Sequence, residues 1–508
     1  MAPPDTSRRR WLWGLLALSA ALLLVRLGDG RMWQDEAQTA LVARTVLQGG
    51  VPRGSDGLNY FSQELGAEYG PGLLWRWHTW LPFYLLAGFF KLFGEGTFIA
   101  RLPFALAGLA TVAATWALGR RLWRSEQAGL VAAGLLAVNV PFLLLARQCR
   151  SYPLAQLFFT LGLLAWHGVL EGRRRAAAAL VLAATLLFHV HYLYTALLLV
   201  SILAHAVLAE RAALKTALLA SLVTTLVNLP WVLWFAQTNY LSRYGSDHRT
   251  LSVVGRNLRG FSDGLFLESW PLAFLAALVV LGLVANVVAH ARSEPSARSP
   301  TGGRWERSAF ALLGLCAAAH LAVLSLTSPG PFYRYLAPLL PVGCVLLAKL
   351  ALRAAAGGRL QAALLAATVL FASPLPAFLG QLSHTYRGPV DALVEWLAVN
   401  AQRGQTIAIT YEDLPLKFYT PLRVLGGLTG EDLEPARRAD FIVLRHETIC
   451  EKDAAVADWL RRNVDFSAYQ RIELDAADAR FQNRETVGEH QFRSPQGGPR
   501  VDIFRRLR

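Results

Sequence analysis

The run Arg8-Arg-Arg-Trp-Leu-Trp-Gly-Leu-Leu-Ala-Leu-Ser-Ala-Ala-Leu-Leu-Leu-Val25, followed by Arg26, Asp29 and Arg31, decides the fold class. Three arginines precede an uncharged stretch, Trp11 to Val25, and no small-residue cleavage site follows it. It therefore reads as a retained first transmembrane helix and not as a signal peptide. A helix needs roughly 20 apolar residues to cross a bilayer. Working outward from the first, candidate spans fall at about 11–28, 98–119, 127–146, 151–170, 176–188, 190–208, 213–236, 270–291, 307–327, 335–352 and 360–380. The fold class expected is an α-helical polytopic membrane protein of about eleven spans.

Composition agrees. Of 508 residues, 54% are hydrophobic and only 17% charged, against about a quarter charged in a soluble chain. The net charge of +15 suggests nucleic acid only until its placement is read. The basic clusters Arg8–Arg10, Arg120/Arg121/Arg124, Arg173–Arg175, Arg211/Lys215, Arg292/Arg298/Arg304/Arg307 and Arg353/Arg359 all fall between apolar runs. With the spans above, every cluster lies on the side of the N-terminus, which places that terminus in the cytoplasm of a cell whose inner membrane holds the chain. Nucleic acid is not an expected partner; membrane lipid is. Each cluster taken alone reads as a solvated loop. Cys149, Cys316, Cys344 and Cys450 show no metal spacing and no disulfide framework.

The same charge test settles two ambiguous stretches. Leu81–Phe93 is apolar but short, and counting it as a span would move every later cluster outside, so it reads as an interfacial helix. The stretch 176–208 is too long for one crossing at 1.5 Å per residue, and a turn at His189–Tyr192 divides it. The outer side then receives the loop 29–97, the links Arg147–Tyr152 and Ser328–Tyr335, and the loop 237–268. The Ser/Pro/Gly-rich link 292–306 reads as flexible. Residues 1–380 form the membrane domain, with amphipathic helices in the loop 29–97. Residues 381–508 form an extracytoplasmic, periplasmic soluble α/β domain: Val390–Ala401 and Ala454–Arg462 read as helices, Thr406–Tyr411 and Phe441–Leu444 as strands. Glu412, Asp413 and His446 read as ordinary surface residues.

The most informative outer segment is Trp33-Gln-Asp-Glu-Ala-Gln-Thr-Ala-Leu-Val-Ala-Arg-Thr-Val-Leu-Gln-Gly-Gly-Val-Pro52. Asp35 can cap the helix that follows, whose apolar residues Ala37, Ala40, Leu41 and Leu47 can lie against the membrane part. Capping alone explains that aspartate as well as a catalytic carboxylate at the water–lipid boundary does.

This segment resembles the first outer loop of the GT-C membrane glycosyltransferases of the family-39 type, which include the protein O-mannosyltransferases and the aminoarabinose transferases. His78-Thr-Trp-Leu-Pro-Phe-Tyr-Leu-Leu-Ala-Gly-Phe-Phe-Lys-Leu-Phe-Gly94 is similar to the family's interfacial helix. Ala100-Arg-Leu-Pro-Phe-Ala-Leu-Ala-Gly108, Arg147-Gln-Cys-Arg-Ser-Tyr152, His191-Tyr192 and Tyr333-Arg-Tyr-Leu-Ala-Pro338 have counterparts too. The resemblance runs over most of residues 10–350. It departs in one place: the aminoarabinose transferases carry Glu-Lys-Pro-Pro where this chain reads Trp77-His-Thr-Trp-Leu-Pro82, so the lysine that meets donor phosphate is missing and the donor sugar stays open. The inserted outer domain usual in the O-mannosyltransferases is also missing; the soluble part is C-terminal instead.

The resemblance implies a GT-C-like fold and transfer of a sugar, with inversion, from a polyprenyl-phosphate donor to an acceptor lipid, glycan or protein. Such chemistry asks for a carboxylate to take or orient the acceptor's proton and for cations to hold the departing phosphate. Asp35, assisted by Glu36, is the expected carboxylate. Arg101, Arg150 and Arg334 are the expected phosphate contacts, since each begins or ends a span on the outer side and arginine meets phosphate with a planar fork; snorkelling to headgroups is the competing role. His78, Tyr152, His191 and Tyr335 are expected in the substrate pocket. For His78, His189 and His191 three roles stay open: a divalent metal, the phosphate, or a hydrogen bond within the bundle. No metal spacing is present, so no metal ligands are assigned and a divalent metal cofactor remains open. The alternative classes are a transporter or lipid flippase, which often shows an internal repeat of spans not found here, and a non-catalytic assembly protein.

Overall fold

The computed structural model describes residues 6–236, 250–291, 300–479 and 486–507. A helical part comes first, followed by an α/β part built on a five-stranded sheet.

The helical part opens with α1 (Thr6–Leu24) and α2 (Gln34–Gly49). Gly50 ends α2 in the left-handed region at φ +73° and donates its N–H to the Val46 carbonyl, a cap that a side chain at this position would strain. Ala37, Ala40 and Leu41 are fully buried as expected, whereas Leu47 is 40% exposed. A loop then leads to α3 (Leu81–Phe93), α4 (Thr97–Leu122), α5 (Glu126–Ala137), α6 (Val140–Ala146), α7 (Tyr152–Leu170), α8 (Ala176–Phe188), α9 (Tyr192–Leu208) and α10 (Leu214–Ala236). After it come α11 (Leu251–Asp263), α12 (Leu272–Ala291), α13 (Pro300–Thr327), α14 (Leu339–Ala354), α15 (Arg359–Phe371) and α16 (Leu375–Leu382).

Each expected span is helical, but the expected eleven are not all long enough to cross. By length and composition four helices qualify among the described residues: Thr97–Leu122, Tyr152–Leu170, Arg211–Trp234 and Gly303–Thr327; the number rises to seven if three bent pairs each count as one. The bends have local causes. α5 and α6 meet at 67°, where Asn139 accepts the Phe142 N–H and Pro141 opens the new helix. Pro271 and Pro374 stand at the 75° and 53° bends before α12 and α16, and a proline supplies no N–H to carry the ladder through. The turn expected at His189–Tyr192 is present as the break between α8 and α9. Of the segments read as loops, 237–249 and 292–299 lie outside the described residues, while 251–263 is helical and 300–306 is the first part of α13 and not a flexible link.

The α/β part contains α17 (Pro389–Asn400), β1 (Thr406–Ile409), α18 (Asp413–Tyr419), β2 (Arg423–Gly426), β3 (Phe441–Val443), α19 (Glu451–Asn463), β4 (Tyr469–Ala477) and β5 (Arg500–Arg506). The sheet order is β2-β1-β3-β5-β4. β2, β1 and β3 run parallel, with Ile407 opposite both Val424 and Phe441, and β5 is antiparallel to β3 and β4. Side chains alternate across a strand: Ile407 and Ile409 pack with Leu393 and Leu397 of α17, Ala408 with Leu460 of α19.

This part grips the loop between α2 and α3. Asn59 donates to the Leu422 carbonyl (3.0 Å) and accepts from the Val424 N–H (2.8 Å). Lys452 donates to the Gln63 carbonyl (2.9 Å) and pairs with Glu64 (2.5 Å). Gly430, at φ +75°, lies so close to Leu65 that an added Cβ would stand 2.8 Å from its side chain. Asp413 and Glu412 are not surface residues: Asp413 is fully buried against Lys417 (2.7 Å) and the side-chain amide of Gln34 (2.8 Å), and Glu412 is buried against Arg445. Glu412 was misplaced because its partner Arg445 is distant in sequence, and Asp413 because the fold buries it together with Lys417, one turn further along the same helix. His446 is half-exposed, 3.7 Å from Asp502.

Candidate active site

Neighbouring carboxylates at the start of α2 point in different directions. Glu36 is fully buried. It accepts two hydrogen bonds from Arg101 (both 2.8 Å), one from the Cys149 N–H (2.8 Å) and one from the Trp33 N–H (3.3 Å). Arg101 also donates to the carbonyls of Leu27 (3.0 Å), Asp29 (2.9 Å) and Gly30 (3.2 Å). The capping role expected of Asp35 thus belongs to Glu36. Glu36 and Arg101, expected at the reacting centre, do not line the cavity that Asp35 faces: they bind each other and staple the segment 27–30, α2, α4 and the 147–152 link together.

Asp35 faces a cavity of about 290 Å³. Six other residues named from the sequence line it: His78, Arg150, Tyr152, His191, Arg334 and Tyr335. They arrive from four separate stretches, so the cavity is a product of the fold. Asp35 Oδ2 lies 3.4 Å from Arg150 and 3.6 Å from Arg334. Arg150 also donates to the Asp35 carbonyl (3.0 Å) and the Thr39 hydroxyl (3.3 Å). Burial works against the Arg150 charge, but Asp35 and Tyr152 outweigh it and hold its pKa above the ordinary value. The Arg334 guanidinium rests over the rings of Phe332 (4.7 Å) and Tyr335 (6.0 Å), and its carbonyl accepts from Tyr194 (3.1 Å).

Burial disfavours the charged form of both cavity histidines. Burial, with the Arg150 charge adding to it, pushes His191 down to about 4 and His78 well below its usual value. His191 stacks on Tyr194 with ring centres 4.2 Å apart. His191 Nδ1, Arg150 Nε and Thr79 Oγ1 are buried and make no hydrogen bond among the described residues. All three residues line the cavity, so its wall carries polar groups that a bound molecule can satisfy. His189 is placed differently: its carbonyl accepts the Leu81 N–H (3.1 Å), its ring edges Trp231 (5.3 Å), and it does not line the cavity.

Gln38, Glu64, Glu68, Trp77 and Phe332 also line the cavity and were not foreseen. Gln38 carried a signal, since it sits one turn beyond Asp35 on the same helix face. Glu68 carried none. Its carboxylate accepts the Ser62 hydroxyl and the N–H groups of Gln63 and Glu64 (2.9 Å for the last), which ties residues 62–68 into a knot. Burial raises its pKa. Through Lys452 and Glu64 the α/β part reaches the rim of the same cavity. Among the described residues no group of three or more His, Cys, Asp or Glu side chains is placed to hold a metal ion.

Comparison with known proteins bears on this site. A family model described as dolichyl-phosphate-mannose-protein mannosyltransferase matches residues 77–234, a stretch that contains His78, Arg150, Tyr152 and His191. Undecaprenyl phosphate-alpha-4-amino-4-deoxy-L-arabinose arabinosyl transferase of Pseudomonas paraeruginosa is 28% identical over 246 residues, 47% of this chain and 38% of that protein. The enzyme of the same name from Pseudomonas aeruginosa is 30% identical over 176 residues, 33% of this chain and 29% of its own length. The chain thus spans well under half the length of the curated relatives it matches. The crystal structure of ArnT from Cupriavidus metallidurans in the apo state superposes with a TM-score of 0.57 at 16% identity, covering 98% of both chains. The structure of the same protein bound to undecaprenyl phosphate gives 0.53, again at 16% identity and over 98% of this chain and 97% of that one. The chain is thus similar in sequence, over part of its length, to these sugar transferases, and it shares the fold of ArnT.

Proposed function

We propose that the chain is a membrane glycosyltransferase that moves a sugar from a polyprenyl-phosphate carrier to an acceptor on the outer face of the inner membrane, with inversion. The observation that carries this reading is Asp35 held between Arg150 and Arg334 on a cavity wall. An acceptor hydroxyl or amine attacks the anomeric carbon, the bond from that carbon to the phosphate oxygen breaks, and polyprenyl phosphate departs with one more negative charge. Arg150 and Arg334 hold that charge; Asp35 orients the acceptor and takes its proton. Before the donor arrives the arginines rest on the Asp35 carboxylate. Donor phosphate draws them away, and the carboxylate turns to the acceptor. His78 and His191, their charged forms disfavoured by burial, serve as hydrogen-bond partners for sugar or phosphate. Glu36 and Arg101 keep the start of α2 in place and touch no substrate. The α/β part, residues 381–508, lies outside with the N-terminus in the cytoplasm, and covers the cavity.

The relatives named above act on, or were crystallised with, undecaprenyl-phosphate compounds, which supports a lipid-phosphate donor. The reading is tested by incubating the purified chain with a panel of undecaprenyl-phosphate-linked sugars and a membrane lipid extract, following release of undecaprenyl phosphate. Release with any donor, lost in Asp35→Asn, is expected. Movement of such lipids across vesicles with no bond cleaved would favour the flippase reading.

A further inference from the structure

The arginines between α7 and α8 take no part in the proposed reaction. Tyr152, at the first residue of α7, is at the cavity; the far end of the same helix borders a second concavity. It is a groove of about 420 Å³ between α7 and α8, walled by Phe158, Leu161, Leu164, Leu182 and Leu186. Arg121, Arg173 and Arg175 stand at one end of it. From Phe158 to Gly168 the groove runs ten helical residues, about 15 Å, long enough for much of an acyl chain. It is open to the surroundings: Leu182 is 60% exposed.

The charges at the mouth are unbalanced. Glu171 takes Arg173 at 2.6 Å, and Glu126 takes Arg120 at 3.0 Å. Among the described residues neither Arg121 nor Arg175 pairs with a carboxylate. The depth is also distinctive. α8 has 13 residues, so it rises about 20 Å against roughly 30 Å of hydrocarbon. A span that short draws headgroups inward around its ends, toward these arginines.

We propose that this groove is a binding site for an anionic membrane phospholipid in the leaflet at that end of α7. One acyl chain lies along the leucines, and the phosphate sits on Arg121 and Arg175. An apolar slot capped by unpaired arginines suits that chemistry: guanidinium forks grip phosphate, and basic pockets between membrane helices hold acidic headgroups. The inference stands apart from the transfer reaction.

The test is native mass spectrometry of the full chain in mild detergent with phosphatidylglycerol or phosphatidylcholine added. The wild type is expected to retain phosphatidylglycerol preferentially. Arg121→Gln combined with Arg175→Gln is expected to cost about thirtyfold of that preference. Ala179→Trp, a change at an exposed groove position, is expected to block both lipids. Equal retention of the two lipids, or a preference untouched by the double variant, overturns the proposal. So does cross-linking of Ala179→Cys in membranes to a second copy or to another protein.

Discussion

Substituting Asp35 and Glu36 one at a time separates chemistry from architecture. Asp35→Asn keeps the shape of the side chain and removes its charge. Its contacts at 3.4 and 3.6 Å are longer than the 2.7–2.9 Å of a charge-assisted hydrogen bond. Arg150 keeps its bonds to the Asp35 carbonyl and Thr39, and Arg334 is partly solvated, with 20% of its side chain exposed. The stability change is therefore expected to be smaller than that of Glu36→Gln. The loss of a general base is expected to lower turnover by about 10²–10⁴-fold. Glu36→Gln does the reverse. It leaves the Arg101 guanidinium, whose side chain is 5% exposed, without its counter-charge, and breaking a buried pair from one side costs about 3–5 kcal/mol. That is a large share of the roughly 5–15 kcal/mol that holds a protein folded. The assay is turnover of an undecaprenyl-phosphate sugar beside thermal unfolding of the same preparations. Asp35→Asn turning over within a few-fold of wild type, or Glu36→Gln melting like wild type, refutes the reasoning.

Four further outcomes follow from the structure. On the proposed reading Arg150 and Arg334 hold the donor phosphate, so Arg150→Gln or Arg334→Gln should lower affinity for undecaprenyl phosphate about 10–100-fold by titration. The His191 pKa is depressed to about 4 in the folded chain, and that of His78 is lowered as well, so the unfolded chain binds more protons below pH 6.5, for His191 down to about pH 4. Stability is full above 6.5 and declines as pH falls through that window, and His191→Gln should flatten the decline in a pH series of melting curves. Lys417 is fully buried on Asp413 and also donates to the Tyr60 carbonyl at 2.8 Å; Lys417→Met should cost about 3–5 kcal/mol and expose the α/β part to limited proteolysis. Cys450 is exposed and the other three cysteines are buried. A membrane-impermeant thiol reagent should therefore label Cys450 in intact spheroplasts, and labelling only after lysis would reverse the proposed orientation.

What the sequence carried depended on how far each signal reached. Helix positions came from apolar runs, a local property, and all the expected spans are helical. How many of them cross could not be read that way, because the bends at Asn139, Pro271 and Pro374 turn single runs into pairs. Of the α/β part, α17, β1, β3 and α19 were legible from helical spacing and short β-rich runs; α18, β2, β4 and β5 were not read, nor was the sheet order, since β5 pairs between β3 and β4 from the end of the chain. The cavity residues Asp35, His78, Arg150, Tyr152, His191, Arg334 and Tyr335 were nameable because their stretches resemble those of the GT-C family, and the two arginines also because they stand at the ends of apolar runs. The error over Glu412 and Asp413 has the opposite cause. A charged residue in a polar stretch reads as solvated until the fold buries it: Arg445 reaches Glu412 from 33 residues away, and Lys417, although one turn from Asp413 on α18, is buried with it by contacts to Tyr60 and Gln34 that nothing local announces.

The same limit governs the pair that begins α2. In sequence Asp35 and Glu36 are interchangeable: adjacent, acidic, at a helix start. Successive residues on a helix are turned by about 100°, so only one of two neighbours can face a given cavity. Which one is set by the position of the helix start. Glu36 is the third residue of α2, the place from which a carboxylate reaches back to the N-cap amide, and its bond to the Trp33 N–H uses it so. That assignment turns Glu36 inward to Arg101 and leaves Asp35 to the cavity. The C-terminal part then fixes the helix start from the other side. Gln34 donates to Asp413 at 2.8 Å and accepts from the Leu414 N–H at 3.3 Å. The Asp35 carboxylate is thus flanked by two anchored residues, one tied to the helical bundle and one to the α/β part, and this holds it at the cavity where loop residues alone would not.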